Sequence, residues 1–343
     1  MSEHTFHIPV MGVAFTIDSP LKVAKYGIDS VIALADDILF EKLRKSYCAK
    51  YELPYKEIDV HVEDYRAKRI TSYLNLMKEL ADKKFLEFIE SGNQMSRELK
   101  EYFNLLPDYS RLKQEFNLIY DKLGKNELLN WVKTNLSMGS IDVNIMTKVD
   151  KENYKNKEKL SVEYNDAHSA LRGFAQSDLN SSIIFSAGMN PRLYGYIEQF
   201  EDFYPNEKGE IKKKITLKVS DYRSALIQGK FLAKKGLWVS EYRIESGLNC
   251  GGHAFATEGH LLGPILDEFK KHKGELIDST YELLSKALEL KNKPNFKSCP
   301  SLKTSVQGGV GTAKEHQFLL DHYHVDSVGW GSPFLLVPEA TTV

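Results

Sequence analysis

The sequence predicts an α/β fold, a (β/α)8 TIM barrel with a large helical insertion after its second strand. Three observations predict it. About eight short apolar runs alternate with helix-like segments along the chain. The first strand, helix and strand fit a single βαβ unit, which implies parallel pairing. Residues 41–138 read as charged and helical throughout, and setting them aside leaves 245 of the 343 residues, close to the roughly 250 of one such barrel. The expected organisation is a barrel at 1–40 and 139–343 and a helical subdomain at 41–138.

Each element has a local reason. Ile8 to Phe15 is a short apolar run and reads as a buried strand. Ser19 before Pro20 reads as a helix N-cap, and Gly27 as the stop. Ser30 to Leu34 is the second strand. In the insertion, Ile70, Tyr73, Leu74, Met77, Leu80, Ala81, Phe85 and Phe88 recur at helical spacing. Leu112, Phe116, Ile119 and Leu123 repeat the pattern up to Gly124. The strands then resume at 141–146, 182–186, 214–219, 237–244, 303–307 and 325–330. Asn190-Pro191 opens one helix, Asp221 caps another that ends at Gly236, and a long helical stretch covers about 263–291. After the last strand the sequence shows no eighth helix. A longer chain is the favoured explanation, with cover from a second copy or another element as the other.

Composition narrows the function classes. Lys+Arg is 46 and Asp+Glu is 47, a net charge of −1, which argues against nucleic acid as a partner. Three cysteines without a CxxC pair argue against a disulfide framework and a zinc knuckle. The N-terminus lacks a signal-peptide pattern, and no apolar run is long enough to span a membrane. A cytoplasmic protein is expected.

Function in such barrels sits on the loops after the strands. After strand 7 comes Gln307-Gly-Gly-Val-Gly311 and then a helix, a glycine turn suited to an anion such as phosphate. After strand 8 comes Gly329-Trp-Gly-Ser-Pro333. The same residues also suit two tight structural turns. After strand 6 comes Glu245-Ser-Gly-Leu-Asn-Cys-Gly-Gly-His253. A His at that place can move a proton near neutral pH, although a lone His is often a hydrogen-bonded structural residue. Cys250 reads as a small residue beside the ligand rather than a nucleophile. His322-Tyr-His324 reads as surface rather than as a metal site, and no metal is expected.

These motifs resemble the nitronate monooxygenase family of FMN-dependent TIM barrels, formerly called 2-nitropropane dioxygenases. The family's Ala-Gly-Gly-His is similar to Cys250-Gly251-Gly252-His253, with a cysteine in place of alanine. Its Val-Asn is similar to Val143-Asn144, and its N-terminal Pro/Gly region to Pro9–Ala14, with different spacing. The resemblance covers roughly residues 8–40 and 139–337. It implies His253 as the acid/base group. It also implies that Met11, Gly12, Asn144, Gly188, Lys218, Gly251 and Gly252 approach the flavin. Gly308, Gly309, Gly311, Gly331 and Ser332 would hold the FMN phosphate. Lys218 reads equally as an ordinary charged residue of a Lys-rich segment. The implied activity is oxidation of a small carbon acid, with the flavin reoxidised by dioxygen. Two other readings stand beside it: an FMN-dependent enoyl reductase using NAD(P)H, and a catalytically inactive barrel serving as a binding or assembly module.

Overall fold

Eight parallel strands close into a barrel in the computed structural model, which describes residues 4–12, 16–34, 36–91, 94–145, 150–186, 188–246 and 261–337. They are β1 (Phe6–Ile8), β2 (Asp29–Ala33), β3 (Ile141–Ile145), β4 (Ser181–Phe185), β5 (Lys213–Val219), β6 (Val239–Glu245), β7 (Lys303–Gln307) and β8 (Ser327–Gly329). Each strand lies beside its sequence neighbours, and β1 closes the ring by pairing with β8. The (β/α)8 class expected from the alternation is therefore the class observed.

Strand side chains alternate between the two faces of the barrel wall. The outward set is apolar. Val143, Ile183, Leu217, Val306 and Val328 are fully buried under the helices. The inward set is largely polar and holds Asp142, Asn144, Thr216, Lys218, Glu241, Arg243, Glu245 and Ser305. Its members engage each other along and across strands: Arg243 Nη2 lies 3.0 Å from Glu241 Oε1 of the same strand, and the Ser305 hydroxyl of β7 donates to that oxygen. Glu241 and Arg243 are tolerated there because they are paired.

Local chemistry explains most boundaries. Asp221 accepts from Ser224 N at 2.6 Å and starts α9 (Tyr222–Ala233). Asn190 accepts from Leu193 N at 3.2 Å and, with Pro191, starts α8 (Pro191–Tyr196). Other boundaries differ from expectation. The first strand stops at Ile8 rather than running to Phe15, because Pro9 has no N–H for the ladder. The loop is then held by Thr16, whose Oγ1 donates to Gly12 O at 2.9 Å and accepts from Met11 N at 2.9 Å. Ser19 does not cap α1 (Pro20–Val23) through its side chain; its own backbone is already helical, at φ −46° and ψ −40°.

The stretch 41–138 contributes to two cores. Helices α2 (Asp37–Lys50) and most of α3 (Tyr65–Ile89) bury Phe40, Tyr73, Leu74 and Met77 in the barrel's own core. Gly173 of α7 (Asp166–Ala175) permits the crossing with α3, since a Cβ there would stand 2.7 Å from Ile70 Cγ2. The end of α3 joins α4 (Arg97–Leu105), α5 (Arg111–Ile119) and α6 (Lys125–Asn135) around a second core of Phe88, Phe103, Phe116 and Val132. Gly124, expected to stop a helix, instead opens α6, and its N–H donates to Glu127 Oε2 at 3.0 Å. Barrel helices α10 (Leu262–Leu290) and α11 (Ala313–Tyr323) follow β6 and β7. After β8 the described residues hold only α12 (Ser332–Leu335), whose Phe334 stacks on Phe6 at 6.0 Å between ring centroids. No helix among the described residues is long and apolar enough to cross a membrane.

Candidate functional site at the C-terminal rim

The loops after the strands gather most of the expected residues at one rim. Met11 and Gly12 follow β1, Asn144 is the penultimate residue of β3, and Gly188 follows β4. Gly308, Gly309 and Gly311 follow β7, and Gly331 and Ser332 follow β8. Gly12, Gly188, Gly308 and Gly309 hold φ of 126°, 115°, 95° and 70°, backbone that a side chain disfavours. Met11 is brought beside Gly331, whose Cβ would lie 3.9 Å from Met11 Cγ. Asn144 is 5% exposed.

Lys218 is not an idle surface charge. It turns inward from β5, and its Nζ lies 2.9 Å from Glu245 Oε2 at the end of β6, with both side chains largely buried. The pair spans neighbouring strands just under the rim, where a low dielectric strengthens it. Below lies a layer the sequence reading missed. His7 donates or accepts through Nδ1 with Ser327 Oγ at 2.9 Å. Gly329 leaves room for the His7 ring and Gln307, because a Cβ there would meet His7 Nε2 at 3.0 Å. Burial, and to a smaller degree the charge of Arg243, pushes the His7 imidazole well below its ordinary range, so it is neutral. The available signal was the polar alternation of Asp142-x-Asn144 and Glu241-x-Arg243-x-Glu245, unusual in parallel strands that normally read as apolar runs.

The helix start after β7 bears on the expected phosphate seat. Thr312 caps α11, and Glu315 folds back in a capping box. Glu315 Oε2 accepts from the N–H groups of Gly311 and Thr312, each at 2.9 Å. These donors hold the Glu315 carboxyl below its ordinary value. The chain's own carboxylate thus takes the Gly311 N–H that an anion would use. Gly308 and Gly309 are not part of that box.

Gly251, Gly252 and His253, with Cys250, lie outside the described residues. His322 and His324 are exposed at the end of α11, where the His322 ring stacks on Phe318 at 4.9 Å. Among the described residues no three His, Cys, Asp or Glu side chains are grouped to hold a metal ion. The fold and the rim define an α/β-barrel protein whose polar and glycine-bearing positions converge at the C-terminal strand ends. No protein-family model matches the chain, and no curated protein matches it.

Proposed function

We propose that the C-terminal rim holds FMN and that the protein is an oxidoreductase of nitronate monooxygenase type, acting on a small carbon acid in the cytoplasm. One observation carries the reading: four glycines in left-handed backbone, Gly12, Gly188, Gly308 and Gly309, stand around a single rim. Bare backbone at those places suits the close approach of a flat ring and its phosphate. The flavin supplies electron uptake and is renewed by dioxygen. This chain's residues bind and orient. Met11, Gly12, Asn144 and Gly188 would line the flavin site, with Gly251 and Gly252 joining them as the resemblance implies. The Lys218–Glu245 pair would supply the charged groups nearest to it on β5 and β6. Gly308, Gly309, Gly331 and Ser332 would hold the phosphate, with Gly311 available to it only if Glu315 gave up its N–H. His253 would accept the proton of the carbon acid, the role the resemblance implies for it.

The test is the absorption spectrum of the purified full chain, followed by reconstitution with FMN. The expected result is a yellow protein that consumes dioxygen with a small nitronate. With the neutral nitroalkane, the carbon acid itself, as substrate, His253→Ala should keep FMN and lose about a hundredfold or more in turnover. Unchanged turnover removes His253 from the chemistry. Bleaching by NAD(P)H without a nitronate assigns an enoyl reductase instead. Failure to bind FMN at all overturns both flavin readings and leaves the binding or assembly module.

A further inference from the structure

We draw no further inference here: the strongest candidate, the cluster around the buried Lys213 ammonium at the start of β5, carries nothing beyond the fold, because its three donors are taken by Ser177 O, Ser177 Oγ and Leu179 O in the turn between α7 and β4, and only its lowered pKa points to a switch.

Discussion

Asp142 and His7 are both buried in the barrel, and they pull stability in opposite directions with pH. Asp142 has its folded value raised to about 7 by burial and by Asp29, well above an unfolded aspartate at about 4. The folded state therefore holds an extra proton between those values. The stability this contributes is fully present below about 4 and is lost as pH rises through about 7. Asp142→Asn keeps the acceptor for Ser182 N and removes the penalty. Thermal unfolding at pH 8 should show the variant more stable by about 2–4 kcal/mol, with no gain near pH 4. A gain of equal size at both pH values would refute this account. His7 acts on the acid side. Its folded value is depressed, so below about 6.5 the unfolded chain takes up a proton that the folded chain refuses, and stability falls as pH falls. These residues were legible only in part. Polar alternation marks them as inward-turned strand positions, but which charge meets which depends on closure of the ring. Lys218 and Glu245 are distant in sequence and become partners only because β5 and β6 are neighbours.

At the scale of elements, ends were legible where a side chain makes the cap. Asp221 and Asn190 show this, whereas Ser19 fails because the backbone before Pro20 is already turned into helix. The same chemistry gives a test of the rim. Glu315→Ala removes the carboxylate that accepts from Gly311 and Thr312. A modest fall in Tm is expected from the lost capping box. If the FMN phosphate uses Gly311, fluorescence titration should show FMN binding more tightly in the variant, because an internal competitor is gone. Weaker binding would place Glu315 among the groups that shape the pocket. The α3–α7 crossing gives a second test. Gly173→Val drives methyl groups into Ile70 and should cost about 1–3 kcal/mol by overpacking, read as a lower midpoint in denaturant. An unchanged midpoint would mean that the two helices can separate without penalty.

Across the whole molecule, helical periodicity marks the helices within 41–138, which are interrupted at 51–64 and by the short strands Glu90–Ser91 and Gln94–Met95, but not where their apolar stripes face. The pattern is the same whether a stripe meets the barrel or its own neighbours, and the division falls inside α3. The two cores predict separable responses. Phe103 is fully buried and stacks on Phe116 at 3.7 Å. Phe103→Ala should cost about 3–5 kcal/mol in the smaller core. Hydrogen exchange should then quicken in α4 to α6, while protection of the barrel strands stays as it was. Equal loss in both regions would show that the cores unfold as one.

The 25 residues of α3 make a rod about 37 Å long, anchored at one end against α7 and the barrel and at the other in the three-helix module. Such a rod works as a lever. A force on the module, from a binding partner or from crowding, becomes a torque about the Ile70–Gly173 crossing rather than a local dent. A small swing at the module is therefore delivered to the barrel wall beside β2 and β3, making the module a handle by which the barrel can be strained from a distance.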